Sequence, residues 1–581
     1  MSFIKSLLML IVIPVFGFSV SYWVIGTFND QLDIGVDIGD ICSMSLGADL
    51  DSLGDFCRTT YQPIAWMQSA SIASAIVAIV LLLSYSGLSK FAGKNRKRIA
   101  TIFPTLVTIS LIVLSGQTLI QGAILTYGAY VAESTAIGRV HFVAIGIIGL
   151  GALLSSLLLI VSTFKLSKKQ SQFVMGESLN SSEHDELKTL VDDVAQILGA
   201  VVPSNIVVGL DPNFWVTNAE VNTGKERLQG ESLYLSLPLM RILTKDELKA
   251  IIGHELGHFR GDDTYYSLRF APVYAGLNAA LSSMTDSENE SGSIATFPAV
   301  ALLNYMKSAF HQNISVINRE REHEADLSAT EVAPPEALAT ALLKLGLYAD
   351  AWNRLTSETI ERMQRGKITT NLSKIFQSAS KYDVNKDSIP EVIGSIASQT
   401  ISHPTDSHPT TSNRISALGL SIKDIDVTKL VAPLDSSISL INSVDEFEER
   451  LTLRQQQLYV ALGVKRESEG DTMATIIASF GAHMVLADGE VLDAEIDNAE
   501  SMGRHILESF DYIEFREFCL HPEQLLPIDE LLTGCSSLTD EQKEVIVKYL
   551  ELIAASDGDL SKEEEELMGL VTAKFRNNHG A

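Results

Sequence analysis

The chain has 581 residues, 46% of them hydrophobic, a mean hydropathy of +0.17 and a formal net charge of −28 at pH 7. That length exceeds a single domain, and a surface of this charge excludes nucleic acid as a partner because it repels phosphate backbones.

The first 170 residues hold four stretches without Asp, Glu, Lys or Arg, at 6–29, 59–89, 99–132 and 140–164. Each exceeds the roughly 20 residues that cross a bilayer as helix, which predicts a four-helix transmembrane region over 1–170 with the lipid bilayer as a partner. The first run is too long, and lacks a clear small-x-small cleavage site, for a signal peptide. Lys90, Lys94, Arg96, Lys97 and Arg98 lie between the second and third stretches, and Lys165, Lys168 and Lys169 follow the fourth. The positive-inside rule puts those ends in the cytoplasm. The expectation is a multi-pass protein of the cell (inner) membrane, with everything after the fourth span cytoplasmic. The external loop between the first two spans is acidic (Asp30, Asp33, Asp37, Asp40, Asp49, Asp51, Asp55) and holds Cys42 and Cys57, which form a disulfide there or stay as two thiols. Cys519 and Cys535 fall on the reducing side and read as inert thiols. The remainder of the chain carries a net charge of −31.

Beyond the spans, Pro203–Gly209 reads as a short strand and Glu231–Pro238 as another. Thr244-Lys245-Asp246-Glu247 has the form of a capping box, followed at helical spacing by Leu248, Ile251, Ile252 and Phe259. That helix carries His254-Glu255-Leu256-Gly257-His258. Residues four apart share a helix face, so both imidazoles can grip one Zn²⁺ while Glu255 sits beside the open coordination position, where it can take a proton from water. An ordinary amphipathic helix with two polar-facing histidines is the competing reading. Apolar stretches at about 270–284 and 294–310 are short for spans and read as buried or interfacial helices. Asn318–Asp326 then offers Glu322 and Asp326, again four apart. Glu322 would complete a three-ligand zinc shell, and Asp326 would accept the free ring N–H of a ligand histidine. A charge-laced, solvated helix face accounts for the same residues.

In this order the two motifs resemble the HtpX and CAAX-prenyl-protease type of membrane-integrated zinc metallopeptidases. Those proteins carry His-Glu-x-x-His on one helix and Ser-Arg-x-x-Glu-aromatic-x-Ala-Asp on a later one. The resemblance covers about 180–425 and implies Zn²⁺ as cofactor, His254, His258 and Glu322 as its ligands, and Glu255 as the catalytic general base. Two positions depart from the pattern: Asn318 replaces Ser, and His323 replaces the aromatic residue, adding a decoy or auxiliary imidazole beside the metal. Trp215–Ala219 resembles the family's Asn-Ala segment, which implies that Asn218 and Ala219 hold substrate backbone; a turn asparagine is the alternative. In enzymes of this class the strand at 231–238 would be an edge that pairs with an extended substrate. His408-Pro409 ahead of Arg414-Ile415 matches the family's His-Pro and Arg-Ile, with His408 favoured over His403 by spacing. The resemblance makes His408 a catalytic residue that stabilises the oxyanion and Arg414 an anchor near the cleft, although a proline-rich loop explains both.

The C-terminal part repeats a pattern: Val485-Leu-Ala-Asp488-Gly489-Glu490 and Ala554-Ala-Ser-Asp557-Gly558-Asp559 each join an apolar helical run to a Glu-rich helix start, with Ser561 and Glu564 as a further capping box. This duplicated arrangement resembles TerB-like (tellurite-resistance type) helical domains. Asp488, Glu490, Asp493, Asp557 and Asp559 are candidate cation ligands or, as the simpler reading, helix-cap carboxylates. The expected architecture is therefore an α-helical membrane domain (1–170), an α+β zincin (gluzincin-like) peptidase domain (171–425), a linker and connecting helix (426–470, the helix at 444–462) and an all-α TerB-like domain (471–581). The function implied is hydrolysis of peptide bonds in protein or peptide substrates, membrane or misfolded proteins foremost, with a protein partner at the TerB-like domain. The alternative is a non-catalytic membrane scaffold or stress-response factor acting through that acidic domain.

Overall fold

The computed structural model describes the chain apart from residues 1–2, 33–35, 46–50, 137, 167–170, 181, 261–265, 267–268, 286–292, 384–388, 399–408, 466–471, 490–491, 508–509, 557–560 and 578–581. It divides into two compact units.

The first unit is drawn chiefly from Met1–Ser171 and His258–Glu322. Four of its helices are long and apolar enough to cross a membrane: Phe3–Gln31, Leu53–Ala92, Arg96–Ala136 and Phe142–Val161. Polar side chains within them find partners on neighbouring spans, since hydrocarbon offers none. Gln117 donates through Nε2 to the carbonyl and hydroxyl of Ser74 at 2.7 and 2.6 Å, and the hydroxyls of Ser115 and Ser156 lie 2.7 Å apart. Cys42 and Cys57 form a disulfide. The apolar stretches between the two motifs form helices Ala271–Thr285 and Ser293–Val332. Leu277, Leu302, Met306 and Phe310 are buried in one cluster with Leu82, Tyr85 and Phe103 of the spans, so these helices are packed against the spanning ones.

The second unit takes Gln172–Gly257, His323–Ile401 and Thr410–Ala581. Strands β1 (Ser171–Phe173), β2 (Gly176–Ser178), β3 (Asn205–Gly209), β4 (Trp215–Thr217), β5 (Glu220–Asn222), β6 (Arg227–Leu228) and β7 (Ser232–Ser236) make two small sheets, ordered β1-β5-β6 and β2-β3-β7-β4. Strand β3 runs where the sequence places it, but β7 corrects the edge-strand expectation. It lies inside the sheet, parallel to β3 on one side and antiparallel to β4 on the other, and β4 is the outer strand. All five residues of β7 are buried, as an interior strand requires. The strand also stops at Ser236, where the Ser236 hydroxyl accepts from the Leu239 amide and Pro238 starts the helix Leu237–Ile242. Pro fits the first turn of a helix better than a strand interior.

The helix carrying the first motif runs Lys245–Gly257. Its capping box is formed: the Thr244 amide donates to Glu247 Oε2 at 2.7 Å, and the Glu247 amide donates to Thr244 Oγ1 at 3.2 Å. Glu247 Oε2 also accepts from Lys344 Nζ at 2.8 Å, and Lys344 donates to the Ile242 carbonyl at 3.0 Å. Lys344 and Glu247 are 0% and 3% exposed, so each neutralises the other out of water. The C-terminal part is all helix over its described residues, including Thr472–Val485, Asp493–Ile506, Tyr512–Leu520, Asp540–Ser556 and Lys562–Asn577. The Ser561–Glu564 capping box is also formed. These helices share one hydrophobic cluster with the rest of the unit, from Leu179 to Phe575. Cys519 and Cys535 are buried free thiols; burial pushes them up to about 12 and about 11, which suits inert cysteines.

Replacing Lys344 by Met strands a buried carboxylate beneath the first motif helix. The expected loss is about 3–5 kcal/mol of stability, against a smaller loss for Glu247→Gln/Lys344→Met, which removes both charges. Thermal unfolding of the purified single and double variants checks the order; equal losses would show that the ion pair is not the cause.

Candidate active site

The two motif helices meet through their smallest residues. A Cβ on Gly253 would stand 2.5 Å from Val332 Cγ2 and 3.1 Å from Ala329 Cα, and one on Gly257 would stand 3.0 Å from Ser328 Cβ and 3.1 Å from Ala325 Cα. Gly253 and Gly257 are one turn apart, as are Ala325 and Ala329, so two bare faces lie against each other. Side chains flanking these faces are pressed together. His254 Nδ1 lies 2.9 Å from Asp326 Oδ1, and the two residues are 7% and 1% exposed.

Asp326 is held from the other side as well. Arg414 donates through Nε to Oδ2 at 2.9 Å and through Nη2 to Oδ1 at 2.5 Å, a two-pronged pairing. Burial pushes the Asp326 carboxyl up, but the hydrogen bonds from His254 and Arg414 and the arginine charge outweigh it, leaving the carboxyl below its ordinary value. An ionised acceptor at Nδ1 requires the proton there, which leaves the lone pair of His254 on Nε2.

His258 lies four residues after His254, and Glu322 four residues before Asp326. Regular helix ends at Gly257, and His258 is the next residue, a correction to the expectation that the helix carries the whole motif and runs on to Phe259. His258 Nε2 lies 3.7 Å from Glu322 Oε1. One ligand atom each from His254, His258 and Glu322 lies within 4.8 Å of the others. Ligands on one tetrahedral zinc stand about 3.4 Å apart, so this donor set fits one such ion with a small inward movement, and two imidazoles with a carboxylate are the ligand types zinc takes at catalytic sites.

Comparison with known proteins bears on the same stretch. Residues 181–420 match Peptidase family M48. Three relatives named Protease HtpX homolog or Protease HtpX homolog 2 are similar over part of their length. That of Archaeoglobus fulgidus is 26% identical over 31% of this chain and 52% of its own, that of Pyrobaculum aerophilum 27% over 40% and 68%, and that of Sulfurisphaera tokodaii 30% over 28% and 50%. The chain thus spans about half to two thirds of the curated relatives it matches. No solved structure matches the chain. The match is confined to residues 181–420, and the chain also holds, among its described residues, four helices long and apolar enough to cross a membrane.

Within the M48-matched stretch, the other expected residues are placed as follows. Asn218 and Ala219 lie between β4 and β5; Asn218 Nδ2 donates to Glu231 Oε1 at 2.7 Å, and the Ala219 amide donates to Thr217 Oγ1 at 3.1 Å. Glu255 is half-buried, one residue after His254. His323 is half-buried and is not one of the three residues grouped as metal-capable among those described. Asn318, in the place of the usual Ser, accepts from the Tyr266 hydroxyl at 3.4 Å. His403 and His408 lie outside the described residues, as do Glu490, Asp557 and Asp559 of the acidic C-terminal motifs.

Sequence reasoning missed Gly253, Gly257 and Lys344. The glycine signal was present as Gly-x-x-x-Gly facing Ala-x-x-x-Ala; Lys344 gave none, since it meets Glu247 across 97 residues.

Two substitutions follow from this geometry. Gly253→Ala puts a methyl against the Ala329 backbone, which cannot turn aside as Val332 can; the expected cost is about 1–3 kcal/mol, read as a lowered melting temperature. Asp326→Asn keeps an acceptor but loses the charge that fixes His254, and metal affinity is expected to fall roughly 10- to 100-fold in chelator competition. Unchanged affinity would remove Asp326 from the site.

Proposed function

We propose that the protein is a membrane-anchored zinc metalloendopeptidase whose active site lies in the cytoplasm. The observation that carries this reading is the coupled arrangement of His254, Asp326 and Arg414 beside the group formed by His254, His258 and Glu322. A purely structural zinc has a closed set of four protein ligands and needs no adjacent base, whereas the described group offers three ligands and the neighbouring Glu255. Zinc held by His254, His258 and Glu322 supplies Lewis-acid polarisation of the scissile carbonyl and lowers the pKa of water. Glu255 takes the proton from the attacking water and passes it to the leaving amine. His408 stabilises the oxyanion, and Asn218 and Ala219, at the end of outer strand β4, hold the backbone of an extended substrate.

Membrane or misfolded proteins are the substrates this layout suits, in quality control or a defined processing cleavage, because the peptidase part is tethered to four spans. The basic residues flanking the spans support the cytoplasmic side of the inner membrane. The C-terminal helices, TerB-like in their repeated Asp-Gly pattern, offer a place for a protein partner.

Zinc content and casein cleavage by the detergent-purified chain test the assignment. Wild type is expected to bind zinc and cleave, Glu255→Gln to keep zinc and lose cleavage by at least about 100-fold, and Glu322→Ala to lose both. Absence of zinc from the wild-type protein would refute the reading.

A further inference from the structure

The helix that carries Glu322 is fastened to the second span by a row of polar contacts that the chemistry above does not use. The hydroxyls of Tyr305 and Ser86 lie 2.6 Å apart. Ser89 Oγ donates to the Ala309 carbonyl at 2.6 Å, and Asn313 Nδ2 donates to the Ser89 carbonyl at 2.9 Å and its hydroxyl at 3.2 Å. Tyr305, Ala309 and Asn313 recur every four residues and so form one stripe. The surroundings are apolar: Leu82, Tyr85, Met306 and Phe310 are buried beside them. Apolar helix surfaces in a bilayer slide and rotate with little preference, and a hydrogen-bonded polar pair is what fixes their register.

We propose that Ser86, Ser89, Tyr305 and Asn313 are positioning residues for the metal site, setting the rotation of the Ser293–Val332 helix and hence the place of the Glu322 carboxylate. The inference rests on the metallopeptidase reading and extends it into the membrane part. Glu322 lies nine residues after Asn313, about 14 Å along the helix and, at about 100° per residue, on its opposite face. The spans therefore hold the back of the helix while the ligand projects from its front. The leverage is large. A helix with side chains has a radius of about 5–6 Å, so a 20° rotation moves a carboxylate by about 2 Å, whereas a metal–ligand distance tolerates about 0.2 Å. Rotation by about 2° already uses that tolerance.

Zinc affinity of the full chain in lipid nanodiscs, measured by chelator competition, and the visible absorption of its Co²⁺-substituted form test the proposal. Asn313→Leu, nearly isosteric, is expected to raise the zinc Kd roughly 3- to 30-fold and to change the Co²⁺ spectrum. Ser89→Ala, which leaves the backbone carbonyl for Asn313, and Tyr305→Phe are expected to do so less. Ser89→Thr, which keeps the hydroxyl, is expected to match wild type, as is Ser115→Ala, whose hydroxyl bonds Ser156 of the fourth span. A loss of stability alone would lower the folded fraction and leave the Kd and spectrum of the folded protein unchanged. Should Asn313→Leu fail to fold, Ser89→Ala with its Thr counterpart decides. Wild-type Kd and spectrum in the folded variants would overturn the positioning role while the metal reading stands. Metal binding that ignores Glu322→Ala would overturn both.

Discussion

The approach of two helices through Gly253 and Gly257 on one and Ala325 and Ala329 on the other is the contact on which the site depends. Helices packed through ordinary side chains stand 8–10 Å apart; bare faces lie closer, and the residues beside those faces then meet directly. His254 and Asp326 are the pair that meets. Closeness removes water, so both are nearly inaccessible, and a carboxylate taken out of water demands a partner charge. Arg414 supplies it with two donors. Packing thus sets burial, burial sets the need for Arg414, and the ionised Asp326 in turn fixes which imidazole nitrogen of His254 is left to bind a ligand.

Buried charge pairs recur through the second unit. Lys344 meets Glu247, Arg241 meets Glu448 through Nε at 2.8 Å and Nη2 at 2.5 Å, Arg362 meets Asp511 at 2.6 Å, and Arg516 meets Glu500. Such pairs add little net stability over an apolar filling, since desolvation offsets most of the attraction. Their directional demand is the useful property: a misplaced partner leaves a bare charge inside. Arg241 and Glu448 join the segment before the first motif helix to the helix Val444–Ala461, and Arg362 and Asp511 join the long helix Pro335–Gln364 to the C-terminal helices. Each of these pairs is neutral as a unit, so the net −31 of the chain beyond the spans is carried by the remaining charges.

How much of this was legible in the sequence depends on range. The spans, the capping boxes at Thr244 and Ser561 and the His-Glu-x-x-His spacing are written in neighbours within a few turns, and each appears in the structure as a local pattern. The Glu322–Asp326 pair was readable because four residues make one helical turn. Strand order was not: β7 has the same alternation whether inside a sheet or at its edge, and only pairing with β3 and β4, both distant in the chain, decides it. Lys344 carried no signal for the same reason, because one lysine among many becomes special only when it faces a buried glutamate. Cys42 and Cys57 lay between these cases, paired or free by sequence and joined in the structure.

The position of β7 changes what a substrate strand can rely on. With β7 flanked on both sides, the outer row of backbone groups belongs to β4, and β4 has three residues. Alternate residues of a strand point their backbone groups outward, so an edge this short offers about two hydrogen bonds to an added strand. Asn218 follows directly, with one amide hydrogen already given to Glu231; its second hydrogen and its carbonyl remain as further capacity. Under the peptidase reading, such an edge orients a peptide and contributes little of its affinity. Backbone contacts that are few and indifferent to side chains suit, under that reading, substrates of varied sequence.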